Sequence, residues 1–433
     1  MDYKESLSYL ESLNVFGSKL GLSRIERLTE LLGHPERRYK TVHVTGTNGK
    51  GSVSAMTAAI LTESGFRTGL YTSPHLTSYT ERFVIDGEQA SEADFAAAIS
   101  AAKEAAEAML AEGLEQPTEF EVLTAAAFYY FAEKHVDYAV IEVGLGGLLD
   151  STNVIIPEVA VITNVAMEHA DRCGGTLEGV AHHKAGIIKE GVPVITAATG
   201  EPLEIIERRA EELGADVFVC GEDFSAVLQH SPESGQQVAF HSLICRESEP
   251  YALALAGGYQ AENAALVIMA AKLMEREDPR VTEAAVRTAL RTVRHPARFE
   301  ILMQENLPIV IDGAHNPAGM RALRAGLDCY FPDVPRVFLL GILKDKDIDA
   351  MLAALLRPGD QVVTVRPNSE RAAGADVVAA VALGIGADTH ACSDPRTALA
   401  EAEVRARTAH AILVAAGSLY LVGGIRALLM AGR

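Results

Sequence analysis

Apolar residues recur along this chain in two rhythms. Within residues 1–40, Leu7, Leu10 and Leu13, and later Ile25, Leu28 and Leu31, fall at helical spacing, which stacks side chains on one face. From residue 41 onward, short apolar runs rich in β-branched residues alternate with alanine-rich stretches. Strands are predicted at 41–45, 138–143, 159–163 and 192–196, and helices at 50–64, 92–112, 119–134 and 178–189. Such alternation implies a mostly parallel sheet covered by helices. Residues 215–255 break the rhythm: the β-type runs Val217–Cys220 and Gln237–Cys245, with turn residues between them, predict a small antiparallel excursion. Helices near 260–274 and 282–291 lead into Thr292-Val-Arg-His-Pro296, where a domain boundary is placed, dividing 1–294 from 295–433. Strands near 308–312, 336–341, 361–365 and 411–415 then predict a smaller Rossmann-like α/β domain.

One turn stands out. The run Val42–Val44 stops at Gly46-Thr47-Asn48-Gly49-Lys50-Gly51-Ser52, just before a small-residue helix. Glycines let backbone N–H groups approach a polyphosphate, the helix N-terminus adds positive potential, and a lysine reaches the terminal phosphates. The spacing is not the general Walker pattern. Counting back from Gly49-Lys50, its first glycine would fall at Val44, and the hydroxyl arrives one place late, at Ser52. The N-terminal part is therefore expected to be a P-loop ATPase domain. Ligands of open α/β sheets lie beyond the carboxyl ends of strands. The glycine-bearing turns after Val44 and after Ile311 both lie at such ends, which places the expected active site between the two domains.

Composition narrows the class. With 433 residues, 48% hydrophobic and 22% charged, the chain can bury a large core. The start MDYKESLSYL lacks a basic segment followed by an apolar run, so no secretion signal is expected. No stretch approaches the roughly 18 apolar residues of a membrane span. Cys173, Cys220, Cys245, Cys329 and Cys392 are scattered and never form a CxxC pair, which points to a reducing cytoplasm rather than a disulfide framework or a zinc site. The formal net charge of −20 argues against nucleic acid as a partner. It also means that any site for anionic substrates must be locally positive. Lys50, Arg82, Lys184 and Arg298, with a divalent cation, are candidates to supply that charge.

Further motifs follow in order: TSPHL (72–76), EVGLGG (142–147), LDSTN (149–153), TNVAMEH (163–169), HKAGIIK (183–189), ARFE (297–300) and DGAHNP (312–317). Together with the compact loop they resemble folylpolyglutamate and dihydrofolate synthases, the folate branch of the Mur ligase superfamily. The resemblance runs from about residue 20 to the GSLYLVGG segment near 420. It implies a ligase that uses ATP and two Mg²⁺ ions to join L-glutamate to a folate or dihydropteroate carboxylate through an acyl phosphate. It further implies a cytoplasmic, monomeric protein with small-molecule partners and no membrane or nucleic-acid partner.

Residue by residue, the resemblance assigns Gly46 through Ser52, Asn263, Arg298, Asp312 and His315 to ATP. Asn263 is expected at adenine, and Arg298 as a clamp on phosphates. The metals are assigned Ser73, Glu142, His169 and Lys184, the last as a carbamate. Glu142 has independent support, because a carboxylate inside the apolar run Val140–Val143 is costly unless paired or metal-bound. His169 is carried over by resemblance alone, since magnesium prefers oxygen. Lys50, Lys184 and His169 are the catalytic candidates. For the acceptor, the resemblance points to the Gly21–Arg24 stretch, Thr118, Phe120, Glu121 and Asp150. Arg82 suits a substrate carboxylate because guanidinium is planar and forked.

Three departures from the usual family pattern are visible. Leu148 stands where Arg is common, Glu168 precedes His169 in place of Asp, and Ala297 replaces Gly before Arg298. The rival readings are a UDP-muramyl Mur ligase and a P-loop NTPase switch. The first expects a UDP-binding domain of about 90 residues or more before the phosphate loop, and 45 residues precede Gly46. The second expects ordinary Walker spacing and no DGAHNP segment.

Overall fold

The fold is seen in a computed structural model that describes residues 1–13, 20–167, 172–231, 235–243 and 250–431. The chain forms two compact units. The first comprises Met1–Leu253 and Ala261–Val293, the second Ala254–Gln260 and Arg294–Arg433.

Unit 1 is built on an eight-stranded sheet. Its strands are β1 (Lys40–Thr45), β2 (Thr68–Tyr71), β3 (Phe83–Ile85), β4 (Glu88–Gln89), β5 (Tyr138–Glu142), β6 (Val159–Ile162), β7 (Val194–Thr196) and β8 (Val217–Val219), in the order β4-β3-β2-β5-β1-β6-β7-β8. From β2 to β8 the neighbours run parallel, and β3 and β4 close one edge antiparallel. Its central strands are buried along nearly their whole length, as parallel strands covered on both faces must be. A core cluster including Leu10, Leu13, Ile25, Leu28, Tyr71, Phe95, Phe128 and Phe131 joins the helices Tyr3–Leu13, Ser23–Leu31, Glu92–Ala111 and Glu119–Glu133 to the sheet. Each such large side chain contributes roughly 1.5–3 kcal/mol on burial. A second cluster packs Ala185, Ile187, Ile206 and Ala210 against Ala160, Ile162 and Val194.

The antiparallel excursion is β9 (Phe224–Ser231), β10 (Gly235–Ser242) and β11 (Tyr251–Ala252), in the order β11-β10-β9, whereas the first predicted run, Val217–Cys220, is not part of it: Val217–Val219 is β8, parallel to β7 at the edge of the large sheet. Cys245, where the sequence places the end of the second run, lies outside the described residues. The helix expected at 178–189 spans Leu177–Ala185 only. A Cβ on Gly186 would collide with Leu148. The chain tightens there into short turns, with Ile187 N–H donating to Lys184 O and Ile188 N–H to Ala185 O.

Unit 2 holds β12 (Glu300–Gln304), β13 (Leu307–Ile311), β14 (Arg336–Leu340), β15 (Gln361–Val365), β16 (Asp388–Cys392) and β17 (Ile412–Ala416), in the order β12-β13-β17-β14-β15-β16. β12 pairs antiparallel and the others parallel. Its core includes Phe299, Leu327, Phe338, Leu352, Val378 and Val414. The segment Ala254–Gln260 belongs here although it precedes the boundary residues by more than thirty positions. Ala256 packs on this core, Gly257 N–H donates to the Tyr330 hydroxyl at 3.4 Å, and the Tyr259 hydroxyl donates to Asp312 Oδ2 at 3.3 Å.

Candidate active site

Strand order assembles the first part of the site. β2, β5, β1 and β6 are neighbours, so Ser73, Glu142, the Gly46–Lys50 turn and Thr163–Met167 all follow from adjacent carboxyl ends. Gly46 and Gly49 adopt φ of +148° and +90°, values that L side chains rarely take. Neither has room for a Cβ, which would strike Thr163 Oγ1 at Gly46 and Asn263 Oδ1 at Gly49. Asn263 thus lies against the phosphate loop itself.

The loop is stitched to the segment after β6. Thr47 N–H donates to Asn164 O at 2.9 Å, and Asn48 N–H donates to Asn164 Oδ1 at 3.0 Å. Thr163 Oγ1 donates to Asn48 O at 2.6 Å. Thr47 Oγ1 donates to Ala166 O at 3.2 Å and accepts from Ala166 N–H at 2.9 Å. Lys50 Nζ folds back to donate to Gly46 O at 2.9 Å and Thr47 O at 3.1 Å. Lys50 opens the helix Lys50–Glu63, with Gly51 and Ser52 in its buried first turn, where amides lack intrahelical partners and the dipole is positive. A fixed loop, an ammonium and a helix N-terminus converge on one spot, an arrangement whose chemistry suits a polyphosphate.

Beside it, Glu142 ends β5 opposite Val44 of β1 and is 4% exposed. Its Oε2 accepts from Ser73 N–H at 3.1 Å, so the structure brings these two predicted metal ligands together. Lys184 is buried in the helix Leu177–Ala185. His169 lies outside the described residues. Among the described residues no group of three or more His, Cys, Asp or Glu is gathered around a metal position. The donors available near the phosphate loop are therefore a carboxylate and a hydroxyl, hard oxygens that suit magnesium.

The predicted acceptor residues divide. Thr118 and Glu121 form the capping box of the helix Glu119–Glu133. The Glu121 carboxylate also accepts from Thr118 N–H at 2.7 Å and pairs with Arg24 Nε at 3.0 Å. These groups serve the fold first. Phe120 is half-buried, stacks on Tyr71 with centroids 6.2 Å apart, and lies where a Cβ on Gly144 would be. Arg82 Nε–H donates to His75 Nδ1 at 2.9 Å, and its guanidinium lies 5.3 Å from the Tyr79 ring centre.

Asp150 is buried and braces the EVGLGG turn. Its Oδ2 accepts from Leu145 N–H at 2.8 Å, and its Oδ1 from Thr152 N–H at 3.0 Å and Thr152 Oγ1–H at 2.6 Å. Burial pushes its pKa up, and these bonds oppose the rise. Because the Thr152 hydroxyl gives its proton to Asp150, His43 Nε2 must be the donor across the 2.9 Å contact to Thr152 Oγ1. Burial, with Lys189 nearby, holds the His43 pKa down to about 3. Thr45, two residues along the same face of β1, donates to Gly146 O at 2.7 Å. The strand that carries the phosphate loop therefore also grips the EVGLGG turn, a role for His43 and Thr45 that the motifs did not announce. Alternation along β1 was the available signal, since it points both side chains to one face.

In unit 2, Asp312 follows β13 and is 5% exposed. Its Oδ2 accepts from Phe299 N–H at 2.8 Å and its Oδ1 from Ala314 N–H at 2.8 Å. Burial raises its pKa against the pull of Arg298. Ala297 and Phe299, on either side of Arg298, are left-handed at φ +56° and +47°. Gly313 N–H donates to Ala297 O at 2.8 Å, and a Cβ on Gly313 would come within 2.5 Å of Arg298 Nη1. His315 Nδ1–H donates to Gly313 O at 2.8 Å. Arg298, Asp312 and His315 are thus one constellation, with Tyr259 as a member that the motifs did not nominate. The neighbouring strand ends β17 and β14 add Ser418 and the lysines Lys344 and Lys346, which the strand-end rule could have nominated.

Comparison with known proteins agrees with this geometry. Residues 44–271 match the Mur ligase middle domain, and residues 297–418 the Mur ligase glutamate ligase domain. The dihydrofolate synthase/folylpolyglutamate synthase of Bacillus subtilis is 37% identical over 359 residues, covering 82% of each chain. A Mycobacterium tuberculosis folylpolyglutamate synthase complexed with ADP and AMPPCP superposes with a TM-score of 0.88 at 33% identity, covering 100% of this chain and 99% of that one. An Escherichia coli FolC structure in complex with DHPP and ADP gives 0.86 at 27% identity, with 100% and 99% covered. On its motifs, its fold and these relatives, the chain belongs to the folylpolyglutamate synthase/dihydrofolate synthase family of Mur ligases, which are ATP-dependent ligases.

Proposed function

We propose that this protein uses ATP and Mg²⁺ to join L-glutamate to the carboxylate of a folate-type acceptor, dihydropteroate or a reduced folate. The observation that carries the reading is the preorganised phosphate loop, with Lys50 across it and Ser73 and Glu142 at the next strand ends. An acceptor carboxylate oxygen attacks the γ-phosphorus, and the bond to the β–γ bridging oxygen breaks to release ADP. The glutamate amine then attacks the acyl carbon of the acyl phosphate. The tetrahedral adduct expels phosphate and loses a proton from nitrogen. Positioning and charge neutralisation dominate such chemistry.

Lys50 and the helix N-terminus behind it neutralise the γ-phosphate. Arg298, beside Asp312 and Gly313, is assigned to the phosphates, and His315 and Asn263 to nucleotide binding. Ser73 and Glu142 supply oxygens for Mg²⁺, which when bound neutralises phosphate charge. His169 and Lys184 are proposed at a second ion. Lys184 would act there as a carbamate, formed when its amine adds to CO₂ and releases a proton. A ¹³CO₂-derived carbamate signal lost in Lys184→Ala would support that step, and its absence from fully active wild-type protein would remove it. Phe120 offers an aromatic face for the pterin. Asp150, Thr118 and Glu121 shape that wall, and Arg82 takes an acceptor carboxylate. We place the protein in the cytoplasm as a monomer, a state that sedimentation would test.

The test of function is product formation. Incubated with ATP, Mg²⁺ and glutamate, the protein should convert dihydropteroate or tetrahydrofolate to a species heavier by one glutamyl residue. ADP should be released in step with amide. ADP release at the same rate without acceptor and glutamate would favour an NTPase switch, and turnover of UDP-muramyl acceptors alone would favour the peptidoglycan branch.

A further inference from the structure

Among the described residues, Arg82 is a cation with no carboxylate of its own. It ends the short turn Tyr79–Arg82, and its two terminal Nη groups make no hydrogen bond or ion pair among those residues. The carboxylates nearby are engaged elsewhere. Glu81 accepts from the amides of Leu76 at 2.7 Å, Thr77 at 3.0 Å and Ser78 at 2.9 Å. Glu119 accepts from the Tyr79 hydroxyl at 2.7 Å. Two contacts fix the guanidinium: its Nε–H donates to His75 Nδ1, and its central carbon lies over the Tyr79 ring. His75 in turn packs on Tyr79, with ring centres 4.2 Å apart. The Glu81 bonds to the amides of residues 76–78 close the loop just after His75.

A half-buried guanidinium is a specific receptor only if its fork points one way. The Nε contact leaves the outer edge, Nη1 and Nη2, as the part presented, and that edge matches the two oxygens of a carboxylate. His75 can accept from Nε only through an unprotonated Nδ1, so it adds no positive charge at the fork.

We propose that His75 is a positioning residue for ligation: it orients Arg82, through Nε, so that the Nη edge binds the acceptor's carboxylate. This rests on the reading that Arg82 meets the acceptor. The alternative is that His75 and Tyr79 simply pack the loop.

Steady-state kinetics on the full chain distinguish the two, with dihydropteroate and tetrahydrofolate as probes. His75→Leu should raise the acceptor KM about tenfold or more, the scale of one lost charge-assisted hydrogen bond, and leave the ATP KM within about twofold. His75→Asn, whose amide oxygen falls near the place of Nδ1, should recover most of the loss. Arg82→Ala should match His75→Leu, and the double variant should be no worse than Arg82→Ala, because both act through one contact. If Arg82→Ala leaves the acceptor KM unchanged, the carboxylate assignment itself is wrong. If Arg82→Ala raises it but His75→Leu does not, the assignment stands and the proposal for His75 falls. A rise in both KM values with a lowered melting temperature, unrescued by Asn, would make His75 a packing residue only and would also overturn the proposal.

Discussion

The phosphate loop of unit 1 and the Arg298 loop of unit 2 solve similar problems with different chemistry. Both follow or face the carboxyl ends of parallel strands, and both need backbone in the left-handed region. At the phosphate loop glycine supplies it, with Gly46 and Gly49 at φ +148° and +90° and a neighbouring side chain filling the place of each missing Cβ. At the second loop two residues with side chains, Ala297 and Phe299, are held left-handed, and Asp312 anchors them through Phe299 N–H. An L-residue there costs on the order of 1–2 kcal/mol, which the buried carboxylate and the packing of Phe299 offset. The first device leaves a mark in the sequence. The second does not, because nothing in Ala-Arg-Phe announces a left-handed backbone.

Attacks on the glycine device should have the largest effects. Lys50→Ala should lower ligation at least about a hundredfold, since it removes the ammonium that meets developing charge. Its melting temperature should stay near wild type. Retention of a tenth of the activity would break the assignment. Gly46→Ala places a methyl on Thr163 in a disfavoured backbone region and should destabilise unit 1 by about 2 kcal/mol or more. Denaturant midpoints would show it, and a neutral result would mean that Thr163 does not lock the loop.

The strand beneath the loop has its own signature in pH. In the unfolded chain His43 has its ordinary pKa of 6.5, and in the fold burial holds it down to about 3. The unfolded state therefore binds the extra proton. The contribution is fully present above pH 6.5 and is lost as pH falls toward 3. One proton makes the slope about 1.4 kcal/mol per pH unit inside that window. His43→Gln should flatten the decline of the unfolding free energy between pH 6 and 4, read from denaturant titrations, by about that slope. An unchanged slope would mean that His43 titrates alike in both states.

The smallest effect belongs to the second loop. Ala297→Gly removes a left-handed alanine but adds chain entropy to the unfolded state, so a gain of no more than about 1 kcal/mol is expected. A loss of similar size would mean that the buried Ala297 methyl is worth more than the strain it carries.

The same contrast explains what was legible. Alternating strands, the compact loop and Glu142 could be read because each rests on local pattern or on a motif at a strand end, whereas Ser73 came from the resemblance alone. Thr118-x-x-Glu121 was also legible, as a capping box, yet resemblance drew it toward the acceptor. The structure shows both groups closing a helix and Glu121 pairing with Arg24. Tyr259 was out of reach, because its partner Asp312 is 53 residues away and no spacing rule links a turn before a helix to so distant a strand end. His43 sat inside an apolar strand, where a lone histidine reads as core until Thr152 and Asp150 are seen beside it.

The fate of the acceptor oxygens is the most direct measure of the chemistry. With an acceptor carrying ¹⁸O in its carboxylate, each amide formed should deliver one ¹⁸O to the released phosphate, and Lys50→Ala should abolish both amide and label transfer together. Amide formation with unlabelled phosphate would contradict the acyl phosphate, and with it the roles of the phosphate loop and its lysine.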